Sequence, residues 1–385
     1  MKVLQTISGL GARSGGPSTC TLDLMNGLCG LGGDCAVDLL TVSSPDILGK
    51  ESKWLKEVPN DCRPPFMVSR NVQQFLYTTD YELYHCNALW MGVNHDTCRI
   101  AREKHKPYII SPHGMLYPTA LKVHAWKKWI LLNLWYNKDI RQAACLHATC
   151  SQEAKYCRLF GYKGPIAVIP NAVVFPEDVK LKDETLNMRD AKGRRQIGFL
   201  GRLHSIKKVE NLLYAIDLLP REKKEKVSLQ IMGKYDDVYE KWLKDEVKRL
   251  GLEDCVDFVG FVTGKDKYDR LAKLSALFVP SAQENFGMIV PEALICGTPV
   301  YASLGTPWSE LNECNAGWWK GNDPSTIAMV IQEILSLTET QLIEKGRNGR
   351  KLMEEKYEQH KVARMVQHLY SWILYGGEKP EFVYE

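Results

Sequence analysis

Two α/β domains in succession are what this sequence predicts, and three observations carry the prediction. The chain has 385 residues, well over twice the ~150 that serve as a prior for one domain. Short apolar runs alternate with stretches of helical periodicity, the mark of parallel strands joined by helices. That rhythm stops at one charged segment, residues 176–194, and then restarts. Hydrophobic residues make up 45% and charged residues 25%, ordinary for a globular protein. A disordered chain and a small disulfide-stapled scaffold are thereby excluded.

In order, Lys2–Ser8 reads as a buried strand that enters a glycine loop, and Ala36–Val42, Leu83–Cys86, Tyr108–Ser111, Cys145–Thr149 and Ile166–Ile169 as its sheet partners. A long helical pattern runs from about Ala120 to Ala144. After the linker, strands are predicted at Ile197–Gly201, Val227–Gly233, Val256–Gly260, Leu277–Pro280 and Pro299–Ala302. Helices fill the gaps, for example Val209–Leu219 and Tyr239–Leu250. Ser325–Tyr375 looks helical throughout, and the tail Gly376–Glu385 has no strong pattern. The expected division is 1–175, a linker over 176–194, 195–360, and a C-terminal helix over 361–385. The default ligand site for such domains is a cleft at the carboxyl ends of the strands.

The formal net charge is only +4, which does not suggest a nucleic-acid binder. The apolar run at the N-terminus is too short for a signal peptide and lacks a small-residue cleavage site. No stretch of ~18 apolar residues suggests a membrane span. Twelve cysteines lie scattered without a C-x-x-C pair, as free thiols in a reducing cytoplasm would. The tightest group, Cys145, His147, Cys150 and Cys157, leaves a zinc site as the alternative.

Four segments carry the chemistry. The first, Gly9-Leu10-Gly11-Ala12-Arg13-Ser14-Gly15-Gly16, fails the dinucleotide fingerprint at Ser14. Gly15 and Gly16 instead form a tight turn before a helix starting at Pro17 or Ser18, whose free N–H groups suit an anion or a sugar; a plain strand-to-helix turn is the simpler reading. The second is Gly201-Arg202-Leu203-His204-Ser205-Ile206-Lys207-Lys208, where Arg202 ends a strand and Lys207 opens the next helix. Two cations there suit a pyrophosphate, or merely form a solvated basic loop. The third, Pro280 to Leu294, puts Glu284 in a loop and Glu292 in the first turn of a helix, a turn that Pro291 suits. Both carboxylates suit sugar hydroxyls, though Glu292 also complements a helix dipole. Gly287 lets backbone approach a phosphate. The fourth, Ser111-Pro112-His113-Gly114, places a histidine at a strand end, for a substrate hydroxyl or for a structural hydrogen bond.

Leu121 to Trp135, with Lys122, Trp126, Lys127, Lys128 and Trp129, suits a helix lying on an anionic membrane surface, or one packed on its own domain with its lysines in water. No D-x-D triplet marks a divalent cation on a diphosphate.

Together these segments resemble the retaining family 4 glycosyltransferases. Glu284 and Glu292 match their Glu-x7-Glu signature with Asn285-Phe286-Gly287 inside it. Phe199-Leu200-Gly201-Arg202-Leu203 followed by Lys207 resembles their phosphate loop, and Gly15-Gly16-Pro17 their N-terminal glycine turn. Pro112-His113-Gly114 and Ile169-Pro170-Asn171-Ala172-Val173 resemble further segments. The resemblance implies a GT-B fold, two Rossmann-like α/β/α domains facing across a central cleft, with the acceptor on the first and a nucleotide sugar on the second. It implies that Arg202 and Lys207 hold the diphosphate, Glu292 the ribose and Glu284 the sugar. Asn285, Phe286, Gly287 and Met288 also line the donor, Phe286 to Met288 through backbone N–H groups, and His113 sits near the transferred sugar. The implied reaction is retaining transfer of a hexosyl or N-acetylhexosaminyl group. Its donor is a nucleotide-diphosphate sugar, UDP-linked, and its acceptor a saccharide, lipid-linked in surface polysaccharide or lipopolysaccharide assembly. It needs no metal and takes place in the cytoplasm or at the inner face of the plasma membrane. Two departures stand out: Tyr235 where a second glycine commonly follows Gly233, and Lys208 where Gly commonly follows Lys207. A nucleotide-sugar 2-epimerase of the same fold is the alternative, and an NAD-dependent oxidoreductase a more distant one.

Overall fold

The structure is a computed structural model and describes residues 1–11, 16–33, 35–64, 66–176, 179, 188–234 and 236–385. It divides into two compact units, Met1–Val174 with Tyr357–Glu385, and Phe175–Lys356.

The sheet of the first unit contains β1 (Lys2–Ile7), β2 (Ala36–Val42), β3 (Leu55–Val58), β4 (Leu83–Asn87), β5 (Tyr108–Ser111), β6 (Cys145–Ala148) and β7 (Ile166–Val168). The second contains β8 (Arg195–Leu200), β9 (Val227–Met232), β10 (Val256–Gly260), β11 (Ala276–Val279), β12 (Val300–Ser303) and β13 (Gly317–Lys320), and β14 (Val383–Tyr384) returns to the first. The strand orders are β14-β7-β6-β5-β4-β1-β2-β3 and β10-β9-β8-β11-β12-β13. Every pairing is parallel except that of β14 with β7.

Near-continuous apolar runs are needed because both faces of each sheet are covered. In the first unit, Leu4, Tyr84, Ile110 and Leu146 fill one face, while Val3, Leu83, Ile109 and Cys145 fill the other. On that second face the helix Gln359–Tyr375 buries Val362, Ala363, Val366, Leu369 and Tyr370. Those spacings make one helical stripe, packed with Leu24, Met25 and Leu28 of the helix Gly16–Gly30. In the second unit, Ile197, Phe199, Leu229, Ile231 and Phe278 centre the core.

The structure places several elements differently from expectation. The first unit resumes at Tyr357, because a π turn at Met353–Tyr357 precedes the last helix. Residues 188–194 are not free linker: Met188 is fully buried in the second core, and its carbonyl accepts from Gln196 N at 3.1 Å and Ser275 Oγ at 3.2 Å. The Ala120–Ala144 pattern breaks at His124, which takes a left-handed φ of 51°, and again into a π turn at Leu132–Tyr136. Ser325–Tyr375 forms two helices and that second π turn before the last helix. The patternless tail contributes β14, whose register is set by Val383 against Ala167.

Candidate functional site

In an open parallel sheet, ligands bind beyond the carboxyl ends where the strand order reverses. In the second unit that point lies between β8 and β11. Arg202 follows β8 after Gly201, and Glu284 lies in the loop after β11. The two loops are tied together, since Ala282 N donates to the Ile206 carbonyl at 2.8 Å. Next to them Gly233 closes β9 at φ 141°, where a Cβ would stand 1.8 Å from the Gly201 carbonyl oxygen. Only glycine lets the two strand ends approach so closely.

Arg202 is exposed. Lys207 does not open the following helix, as expected, but closes a single 3₁₀ turn, Ser205–Lys207, capped by His204 Nδ1. The long helix starts at Glu210. Lys208 between them adopts φ 54°, ψ 40°, so the left-handed turn forms with lysine where glycine is usual. This geometry aims Lys207 across the switch point: its Nζ lies 2.5 Å from Glu284 Oε1, with both side chains largely buried. Ser281 Oγ donates to the same oxygen at 2.6 Å, and Glu284 N donates to the Gly305 carbonyl at 2.9 Å. The site therefore presents a carboxylate and an ammonium as one fixed pair.

Beyond Glu284 the chain turns at Gly287, φ 78°, a conformation that favours glycine. The Phe286 ring is buried edge-on against Trp308, centroids 5.0 Å apart, and Trp308 Nε1 donates to the Phe286 carbonyl at 2.6 Å. The turn is thus clamped from below. Asn285 stands within it, part-buried. The helix Ile289–Ile295 has Met288 as its N-cap, so the N–H groups of Gly287 and Met288 stand ahead of its hydrogen-bond ladder. Glu292 lies in its first turn, as expected, and Lys267 Nζ approaches its Oε1 to 2.9 Å. Burial opposes the charge of Lys267, but Glu292 and Tyr268 outweigh it and raise the ammonium pKa. Lys267, Ser281 and Trp308 were missed in the sequence. Lys267 sits in a charged helix, Gly264–Lys273, that reads as a solvated face.

In the first unit the strand order reverses between β1 and β4. Gly15 lies outside the described residues. Gly16 begins the helix Gly16–Gly30, ahead of the expected start at Pro17 or Ser18, and Ser18 Oγ returns to the Gly9 carbonyl at 2.9 Å. His113 follows β5 in a left-handed turn, φ 50°. Glu153, fully buried, fixes that turn by accepting from Gly114 N and from Thr149 N and Oγ1 at 2.7 and 2.9 Å. His113 Nε2 lies 3.3 Å from Asn87 Oδ1. Its ring sits deep although part of its surface reaches solvent. Burial, then repulsion from His147, pushes its pKa down to about 3, so it is neutral at physiological pH.

Behind it lies a buried polar chain. His147 Nε2 is 2.9 Å from the Ile169 carbonyl and its Nδ1 2.9 Å from Ser111 Oγ. Ser111 Oγ is 2.7 Å from His85 Nε2, and His85 Nδ1 is 2.7 Å from Tyr370 Oη. Gln5 Nε2 reaches Tyr370 Oη at 2.9 Å, and Asn87 Nδ2 reaches Gln5 Oε1 at 2.9 Å. His147 is therefore committed here. No group of three or more His, Cys, Asp or Glu suited to a metal occurs among the described residues. Cys150 instead caps the helix Ser151–Leu159.

The segment around Trp126 leaves Val123, Trp126, Trp129 and Leu134 each 58–67% exposed; in the helix Ala125–Leu131 only Leu131 is buried. Lys128 turns inward, to the Ala120 carbonyl at 2.5 Å. Among the described residues no helix is long and apolar enough to cross a membrane.

The fold is shared with solved structures. The structure of HepE from Anabaena, in complex with UDP and glucose, matches with a TM-score of 0.75 at 18% identity over 96% of this chain and 99% of that one. Sucrose-phosphate synthase from Thermosynechococcus elongatus matches with a TM-score of 0.75 at 20% identity over 98% and 100%. The fold is GT-B, built of two Rossmann-like units. Residues 14–174 match the family described as Glycosyltransferase Family 4, and residues 185–349 that described as Glycosyl transferases group 1. The chain belongs to these family 4-type glycosyltransferases. An uncharacterised glycosyltransferase of Methanocaldococcus jannaschii is 27% identical over 278 residues, 66% of each chain. Mannosylfructose-phosphate synthase of Agrobacterium fabrum is 36% identical over 123 residues, and there the match spans only 27% of the relative.

Proposed function

We propose that this protein is a retaining glycosyltransferase that moves a hexosyl or N-acetylhexosaminyl group from a UDP-linked sugar to a saccharide acceptor. One observation carries the reading: the Lys207–Glu284 pair at the β8/β11 switch point, 2.5 Å apart, beside the Gly287 turn. It sets a cation for phosphate against a carboxylate for sugar hydroxyls, as a sugar diphosphate requires. Arg202 and Lys207 meet the charge that develops on the departing diphosphate, with the N–H groups of Gly287 and Met288. Losing one such preorganised contact typically costs on the order of 3 kcal/mol of barrier, roughly a hundredfold in rate. Glu292 takes the ribose with Oε2 while Lys267 holds Oε1. His113, neutral, receives a sugar hydroxyl. The acceptor attacks from the face the diphosphate leaves, and the leaving phosphate takes its proton. No metal is required.

The exposed Trp126 and Trp129, with Lys122 and Lys127 alongside, support binding to the anionic cytoplasmic face of the plasma membrane. That location suits a lipid-linked acceptor in surface polysaccharide or lipopolysaccharide assembly. A thermal-shift panel of UDP, GDP, ADP, dTDP and NAD, with EDTA throughout, tests the reading. A ligand at ~100 times its Kd adds roughly 2.7 kcal/mol. UDP alone should stabilise; a shift with NAD only refutes the function, and one with GDP only corrects the base.

A further inference from the structure

The eight groups of the buried chain in the first unit are not interchangeable in their proton positions. The Ile169 carbonyl can only accept, so His147 Nε2 carries the hydrogen and its Nδ1 is bare. Ser111 must then donate to that Nδ1, which leaves Ser111 Oγ to accept from His85 Nε2–H. His85 Nδ1 is bare in turn, so the Tyr370 hydroxyl donates to it. With its one hydrogen used, Tyr370 accepts from an amide N–H, which orients Gln5 with Nε2 toward Tyr370 and Oε1 toward Asn87. Asn87 therefore offers Nδ2 to Gln5 and Oδ1 to His113. Every link points the same way, from His113 toward Ile169. These directions hold for neutral histidines. Burial holds His85 well below its usual pKa, lowers His147 to about 4 and, with His147, lowers His113 to about 3.

We propose that this one-way relay fixes His113 as the Nε2–H tautomer and so dedicates its Nδ1 to accepting a hydrogen bond from a saccharide hydroxyl. Among the described residues Nδ1 has no protein partner, and a sugar hydroxyl is the donor that the proposed function supplies; the ligand half of the inference rests on that reading. Tyr370 and Gln5 are then positioning residues. Tyr370 stands on the helix Gln359–Tyr375, 257 residues along the chain from His113, and acts on it only through hydrogen bonds. A lone neutral imidazole would sample both tautomers, and in the other one Nδ1 would be a donor and could no longer accept the hydroxyl's hydrogen.

The test is long-range ¹H–¹⁵N correlation on the full chain labelled at histidine, with His113 assigned by its loss in His113→Gln. In the unaltered protein His113 should be a pure Nε2–H tautomer with a bare Nδ1. Tyr370→Phe removes both roles of the hydroxyl and should give a mixture of tautomers. Gln5→Leu breaks the relay one link nearer and should do the same, which covers the case in which Tyr370→Phe does not fold. An Nδ1–H form in the unaltered protein, or a pure Nε2–H form in the variants, overturns the relay. The ligand half is read by adding UDP, UDP-glucose, UDP-N-acetylglucosamine and a free glucoside in turn. A response of Nδ1 to the conjugates but not to UDP assigns the hydroxyl to the donor, and a response to the free glucoside assigns it to the acceptor. No response to any of them while UDP binds overturns the ligand half. Absence of UDP binding speaks against the proposed function, and the tautomer result still decides the relay.

Discussion

Replacing Lys207 by Ala should separate the phosphate-binding role of this site from nucleoside binding. Lys207 Nζ makes a charge-assisted hydrogen bond to Glu284 Oε1 at 2.5 Å, and both side chains are more than four-fifths buried. Such bonds contribute about 1.5–3 kcal/mol net. If Lys207 makes one to a phosphate oxygen, its loss raises the Kd for UDP by roughly 10- to 150-fold. A second effect adds to it. Glu284 keeps Ser281 at 2.6 Å, but its carboxylate no longer faces this cation and repels the incoming diphosphate. Uridine carries no phosphate, so its affinity should change by less than about 3-fold. Glu284→Gln removes the repelling charge and leaves Lys207 in place. UDP should then bind as well as before or better, while turnover falls by roughly a hundredfold as the sugar loses its carboxylate. The double variant should recover part of the UDP affinity lost in Lys207→Ala, because it removes the stranded charge. Titration calorimetry with UDP and uridine on the three variants reads all of this. Equal loss of both ligands in Lys207→Ala, or no recovery in the double variant, would refute the reasoning.

Lys208→Gly should stabilise the protein by about 0.5–1 kcal/mol: a non-glycine residue at left-handed φ costs roughly 1–2 kcal/mol, and glycine gives back part through its unfolded-state entropy. A lower denaturation midpoint would show that the turn depends on the lysine side chain. Acid should destabilise the first unit steeply. His85, His113 and His147 have folded pKa values depressed by burial, so as pH falls below about 6.5 the unfolded chain takes up protons that the folded chain refuses, and stability is lost from there down to the folded values near 4 and 3. Three such groups give a slope of up to about 4 kcal/mol per pH unit near pH 5; urea midpoints that stay flat from pH 7 to 5 would contradict it. Trp126→Ser with Trp129→Ser should abolish sedimentation with anionic liposomes at low salt while leaving transfer to a soluble acceptor unchanged. If the unaltered protein itself fails to sediment, the membrane reading is wrong.

Strands were the most legible elements because their signal is local. Leu83–Asn87 and Tyr108–Ser111 stand where the apolar runs put them, since a strand buried at every position has no solvent-facing residues to blur its ends. Leu55–Val58 and Gly317–Lys320 were not legible: they lie at sheet edges, where Lys56, Glu57 and Lys320 reach solvent and dilute the pattern. Helix breaks escaped for a different reason. His124 and Lys208 take left-handed φ without being Gly or Asn, so tertiary context and not turn chemistry sets them. The site itself was half legible. Glu284, Glu292, Arg202 and Lys207 stood out through the family motif they resemble and not by charge alone, and their partners did not, because Lys267 comes from a helix whose sequence reads as a solvated charged face.

For the sugar diphosphate proposed above as ligand, the pairing of each of these carboxylates with a lysine follows from what such a ligand demands. A sugar diphosphate brings its negative charge to one end and neutral hydroxyls to the other, so the site needs cations and hydrogen-bond acceptors within a few ångströms. Carboxylates left alone there would repel the phosphate they stand beside, and lysines left alone would swing toward solvent on their four-carbon stems. Holding Lys207 on Glu284, and Lys267 on Glu292, cancels the net charge locally and fixes both side chains in place. A phosphate oxygen can then share the Lys207 ammonium, which has three hydrogens to donate, without displacing the carboxylate. The first unit reaches the same end with neutral groups: one peptide carbonyl, at Ile169, sets the donor direction through six side chains and delivers a defined acceptor at His113. Charge compensation suits a ligand group that is ionic, and a neutral relay suits one that is not.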